Sequence, residues 1–167
     1  MRVILMAVGD DRPGLTRSLA DAIVEAGGNW LESHFARLGG KFVGSVLVEL
    51  PETRLVQLDA ATAAMDAAGF HVTLTPTGEE DVPAGRVLCF ELVGRDRPGI
   101  VQEVSASLAA LAVNIIELES VTEAGAMSGE RLFRARACVE VPEALPLSRV
   151  QEELERISGE IMVDFED

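Results

Sequence analysis

Gly9-Asp10-Asp11-Arg12-Pro13-Gly14-Leu15 returns 85 residues later as Gly94-Arg95-Asp96-Arg97-Pro98-Gly99-Ile100, in a chain of 167. Each copy follows an apolar run and opens a helical pattern, and each is followed at the same distance by an asparagine, Asn29 and Asn114. The chain is one unit written twice. Further along, Phe42-Val43 aligns with Phe133-Arg134, and Val48-Glu49-Leu50-Pro51-Glu52 with Val139-Glu140-Val141-Pro142-Glu143, at an offset of 91. The second copy therefore carries a six-residue insertion within Glu123–Glu130, which reads as a longer hairpin loop. Solenoid repeats are shorter than this period, so the expectation is two domains, 1–76 and 85–167, joined by a linker over 77–84. Each is just large enough for a core of its own.

Hydrophobic periodicity supplies the elements. Strands are expected at Arg2–Val8, Asn29–Arg37, Lys41–Leu50 and Phe70–Thr75, and again at Gly85–Val93, Asn114–Thr122, Arg131–Val141 and Glu160–Phe165. Apolar stripes at helical spacing mark Gly14–Ala26, Arg54–Ala68, Gly99–Leu111 and Leu147–Ile157, with Gly69 and Gly159 as C-terminal caps. Each half is βαββαβ, an α+β ferredoxin-like unit: a four-stranded antiparallel sheet with two helices on one face.

Composition narrows the function. The chain is 48% hydrophobic, but no run approaches the ~18 apolar residues of a membrane span. Met1–Val8 is too short for a secretion signal and is cut off by Gly9-Asp10-Asp11, so it reads as a strand. The formal charge is −14, with 28 acidic residues against 14 basic ones and no basic cluster. Direct nucleic-acid binding, which relies on lysine and arginine neutralising phosphates, is not expected; control of a gene would pass through another protein. Cys89 and Cys138, in strands among apolar neighbours, read as small buried hydrophobes in a reducing cytoplasm. They lack CxxC spacing and clustered histidines, so no metal site and no cofactor are expected.

The repeated turn suits a small zwitterion. Asp11 can cap the helix, and proline near its start forfeits no hydrogen bond. Gly14 lets a ligand approach backbone nitrogens that have no intrahelical partner, where the helix dipole favours a carboxylate. Asn29 offers a donor and an acceptor for the other end of the molecule. The same four residues also make a sound turn and helix start with no ligand at all. Asn29 follows Gly27-Gly28 and fits plain turn chemistry; Asn114 follows Ala112-Val113, where no glycine makes a turn, which points to a side-chain role.

This order of elements, with Asp-Arg-Pro-Gly at the first strand–helix turn and asparagine opening the second strand, resembles the ACT domain family of small regulatory modules. Two such units without a catalytic domain are similar to the glycine cleavage system transcriptional repressor group; Met1 leading straight into the first strand argues against a fragment of a larger enzyme. The resemblance implies a ligand cleft formed by the first turn of one unit and the second strand of its neighbour. It carries the ligand-binding role to Asp11, Arg12, Pro13, Gly14, Leu15 and Asn29, and to Asp96, Arg97, Pro98, Gly99, Ile100 and Asn114. It also implies a small amino-acid ligand such as glycine or serine, a homodimer, and a protein partner, either a transcription factor or a metabolic enzyme.

Other residues read structurally. Arg12 and Arg97 are expected to be solvated or paired with carboxylates. His34, alternating with Trp30 and Glu32, lies on a polar strand face, His71 has no visible partner, and Trp30 packs rather than stacks on a ligand. Glu79-Glu80-Asp81 and Asp164, Glu166 and Asp167 read as solvated charge. Glu117 and Glu119 have no nucleophile beside them, and there is no Ser-His-Asp set or phosphate loop, so an enzyme is not expected. The copies differ, Asp10 becoming Arg95, Trp30 becoming Ile115 and His34 becoming Glu119, so the two sites need not be equivalent. The reading is a cytoplasmic, non-enzymatic regulator; the alternative is an ACT assembly module indifferent to ligand.

Overall fold

The structure, a computed structural model, describes residues 1–78, 85–125, 130–157 and 161–165. The chain divides into two compact units, Met1–Asp81 and Val82–Asp167. The first contains β1 (Arg2–Asp10), α1 (Leu15–Glu25), β2 (Asn29–Leu38), β3 (Lys41–Glu49), a 3-10 turn (Glu52–Arg54), α2 (Leu55–Asp66) and β4 (Phe70–Thr77). The second contains β5 (Arg86–Arg95), α3 (Ile100–Ala110), β6 (Asn114–Ala124), β7 (Arg131–Val141), α4 (Leu147–Arg156) and β8 (Ile161–Phe165). The sheets have the orders β2-β3-β1-β4 and β6-β7-β5-β8, every neighbouring pair antiparallel. This is the expected α+β architecture, twice. Most of the expected linker and the Gly159 cap fall outside the described residues, as do Glu79-Glu80-Asp81, Glu166 and Asp167.

Alternation places one face of each sheet under the helices. Val3, Leu5 and Ala7 of β1 meet Val46 and Val48 of β3, and Leu15, Leu19 and Ile23 of α1 and Leu58 of α2 close the first core. In the second, Leu88, Phe90 and Leu92 meet Ala137 and Val139 beneath Ile100, Val104 and Leu108 of α3 and Val150 and Leu154 of α4. The opposite faces have no helix among the described residues, and their outward strand positions are open or half-open except for the buried Cys138.

The cores are filled differently at one edge. In the first unit a row of rings runs Trp30, Phe35, Phe42, Phe70, with centroid separations of 5.9, 4.9 and 6.1 Å. Phe35 lies across Gly44, where a Cβ would sit 2.2 Å from the ring and 2.3 Å from the His34 carbonyl oxygen. The corresponding positions of the second unit, by the 85- and 91-residue offsets, are Ile115, Ser120, Phe133 and Ile161, with Ala135 in place of Gly44. Small side chain and large ring have been exchanged together.

Four expectations are corrected. Leu31 is passed over between Trp30 and Glu32 in the pairing of β2 with β3, and Ile116 likewise between Ile115 and Glu117. Such a bulge reverses which face follows. Trp30 therefore points toward the helices and packs against the core, while Glu32 and His34 face outward; the three do not share a face. His71 does have a partner, its Nδ1 lying 2.8 Å from Asp66 Oδ1. The two cysteines are not free hydrophobes: Cys89 and Cys138 stand opposite each other on β5 and β7 and are joined by a disulfide. A strand period of two could not reveal this, because the pairing register brings together residues 49 apart.

The fourth correction concerns the helix ends. Gly27 has φ 71°, with Gly27 N–H donating to Val24 O and Gly28 N–H to Ile23 O. The second unit builds the same Schellman closure without glycine: Ala112 has φ 56°, Ala112 N–H donates to Ala109 O and Val113 N–H to Leu108 O. The absence of glycine before Asn114 therefore does not distinguish the two asparagines.

Candidate functional site

Both Asp-Arg-Pro-Gly turns take the same backbone path. Gly14 and Gly99 precede α1 and α3 with φ of 97° and 94°, in the left-handed region where glycine has no steric penalty. The first amides with a helical partner are Ser18 N–H, donating to Gly14 O, and Glu103 N–H, donating to Gly99 O. The backbone N–H groups between point out of the helix end, the arrangement that receives an anion. Leu15 and Ile100 are buried in the two cores, so only their backbone can face a ligand.

Asp11 does not cap α1. No side chain caps either helix start, and Asp11 Oδ2 lies 3.3 Å from Arg37 Nε instead. With glycine at the cap position and proline before it, Asp11 sits too far upstream to reach the second or third helical amide. Asp96 is likewise drawn to Arg131, at 3.6 Å.

The surroundings of the two turns diverge. Arg12 donates to Ala68 O, 3.0 Å, just past the end of α2. At the equivalent place Arg97 is held by two hydrogen bonds of 2.6 Å to the Glu103 carboxylate. The expectation of carboxylate pairing holds for Arg97, whereas Arg12 uses a backbone carbonyl. Donation from Arg97 holds the Glu103 carboxyl below the ordinary glutamate value of 4.5. Glu103 Oε1 lies 3.8 Å from where a Cβ on Gly99 would be. Ser18 stands where Glu103 stands, and its hydroxyl donates to Gly14 O, 3.1 Å. Among the described residues, nothing beyond its chain neighbours lies within 4 Å of the Cβ position of Gly14. The first helix start is open; the second carries a carboxylate of its own. Aligning the copies shows Ser18 against Glu103, but only the Arg97 clamp gives that difference meaning.

The asparagines are not beside the turns of their own units. Asn29 pairs with Glu49 and Glu49 with Arg2, at the start of β1, whereas the turn leaves the end of β1 at Asp10. The strand rise separates these ends by about 25 Å. Asn114, level with Glu140 and Val87, is placed the same way in its unit. Asp11–Leu15 are brought together, as are Asp96–Ile100, but neither group is joined by its own asparagine.

Sequence reasoning missed a groove of about 260 Å³ on the open face of the first sheet, lined among others by Arg2, Ile4, Glu32, His34, Ser45 and Leu47. None of the candidate ligand residues lines it. His34 Nε2 lies 3.0 Å from Glu32 Oε1 there. The open face of the second sheet is charged, with Arg134 3.6 Å from Glu91 and 3.3 Å from Glu123. Among the described residues no group of side chains could hold a metal ion, and no helix is long and apolar enough to cross a membrane.

Comparison with known proteins agrees with this architecture. Residues 1–70 match the family model of the ACT domain. A crystal structure of a protein of unknown function from Galdieria sulphuraria superposes with a TM-score of 0.79 at 29% identity, covering 99% of this chain and 96% of that one. A candidate glycine cleavage system transcriptional repressor superposes with a TM-score of 0.76 at 18% identity, covering 99% and 97%. No curated protein sequence matches.

Proposed function

We propose that this chain, an ACT domain over residues 1–70 and the same fold again in its second unit, is a non-enzymatic regulator. It binds a small amino acid, glycine or serine, at the Gly14 turn. The observation that carries the reading is the start of α1, where Gly14 lies in the left-handed region, no side chain caps the helix and the Cβ position of Gly14 faces open space among the described residues. Those amides and the helix dipole take the ligand carboxylate. The ammonium group is received by the amide oxygen of an asparagine and by backbone carbonyls from the second strand of another ACT unit, as the family resemblance implies, since Asn29 stands at the far end of its own sheet. The second turn, with Glu103 already on Arg97, is the weaker or unused site.

Binding alters the arrangement of ACT units in a homodimer and so changes contact with a protein partner, a transcription factor or a metabolic enzyme, in the cytoplasm. A coupling of ~1–3 kcal/mol is enough for such control. The likeness in fold to a candidate glycine cleavage repressor supports glycine as the first ligand to try, and the charge of −14 supports control through a protein rather than through DNA. Thermal denaturation with each common amino acid tests the reading: glycine or serine should stabilise the protein, by about 2.7 kcal/mol at a hundredfold over Kd. An unchanged transition with every amino acid would leave the ligand-independent assembly module.

A further inference from the structure

The disulfide sits where the repeat does not require one. By the 85- and 91-residue offsets, Cys89 and Cys138 correspond to Ile4 and Leu47, which face each other across β1 and β3 as the cysteines do across β5 and β7. The first unit completes the same strand order with that aliphatic pair. The bond lies on the open face of the second sheet: Cys89 pairs outward alongside Val87 and Glu91, outside the residues that form the core. Cys89 is half-buried, whereas Cys138 is 8% exposed. The chain has no other cysteine, so neither sulfur has a competing partner within it.

We propose that Cys89–Cys138 is a reversible thiol–disulfide site, oxidised and reduced by low-molecular-weight thiols and their disulfides. A thiolate attacks the more accessible Cys89 sulfur, forming a mixed disulfide and expelling Cys138 as a thiolate that takes up a proton. A second thiolate attacks the outer sulfur of the mixed disulfide, releasing Cys89, which is protonated in turn. Two external thiols thus supply two electrons and two protons and leave as one disulfide; oxidation is the reverse. Closing the bond ties the two central strands of the sheet directly under the charged face that carries Glu117, opposite Cys138, and the groove lined by Glu91, Glu119, Arg134 and Arg136. Opening it leaves a fold already viable in the first unit, with the clip removed.

The test is thiol counting by alkylation and mass, with thermal unfolding in parallel, on the full chain. After exposure to oxidised glutathione the protein should show no alkylatable thiols. Dithiothreitol under native conditions should expose two thiols per chain and lower an unfolding transition by about 10 °C, and oxidised glutathione should restore both readings. The C89I/C138L protein, carrying the first unit's pair, should fold with a transition that ignores both reagents. Two free thiols persisting in oxidised glutathione would overturn the proposal, because the bond would not form. A bond that dithiothreitol opens only after denaturation would overturn it equally, as a fixed structural crosslink.

Discussion

The two units share strand order, helix order and the path of the Asp-Arg-Pro-Gly turn, yet they differ wherever a side chain decides what a surface can do. The first turn is open and has Ser18 where the second has Glu103 clamped on Arg97. The first open face is apolar along Ile4, Met6 and Val8, where the second has Cys89, Glu91 and Val93. Duplication preserved the scaffold, which backbone hydrogen bonds and the buried stripe specify, and left the exposed positions free to diverge. A shared motif is thus evidence for a shared backbone conformation; shared binding must be argued from what covers it.

The largest effect should come from the exchanged core edge. G44A introduces a Cβ against Phe35 and the His34 carbonyl and should destabilise the protein by about 3 kcal/mol in denaturant unfolding. Adding F35S, which copies the second unit's Ser120 and Ala135, should recover part of that loss; strict additivity of the two changes would contradict the paired exchange. Next come the turns. S18E should weaken amino-acid binding tenfold or more, about 1.4 kcal/mol, by placing a carboxylate over α1 as Glu103 lies over α3. E103S should raise the binding stoichiometry by uncovering the second turn. Direct binding measurements on these two variants would break the comparison if both left affinity and stoichiometry unchanged.

A smaller effect is expected at the helix ends. A112G should stabilise the protein by about 1 kcal/mol, because alanine is held at φ 56° where the first unit has glycine. The smallest concerns pH. The Glu103 carboxyl is held below its ordinary value of 4.5 by donation from Arg97. The pair therefore contributes stability above the unfolded value and loses it as pH falls through the lower folded one. In E103Q the decline in melting temperature below pH 4.5 should be slightly shallower than in the parent; an identical decline would mean the clamp adds nothing.

The element order and the helical stripes were legible in the sequence because apolar spacing directly records which face is buried: Leu15, Leu19 and Ile23 on α1, or Val150 and Leu154 on α4. The repeated turn was legible because proline and glycine report backbone conformation at their own positions. Features set by pairing between distant residues were hidden. The bulges at Leu31 and Ile116 shift the alternation by one residue, and no local pattern marks them. The Cys89–Cys138 bond depends on register, and Ala112 shows that a left-handed residue need not be glycine. Asn29 and the Gly14 turn lie close in sequence, yet the strand carries them to opposite ends of the sheet.

The central claim is that one turn, at Gly14, receives a small amino acid while its copy at Gly99 does not. Calorimetric titration of the full chain with glycine, then serine, tests it most directly. One ligand per chain, with affinity lowered tenfold or more in S18E and the stoichiometry raised in E103S, is the predicted result. Two equivalent ligands per chain, or no saturable heat with either amino acid, would contradict it.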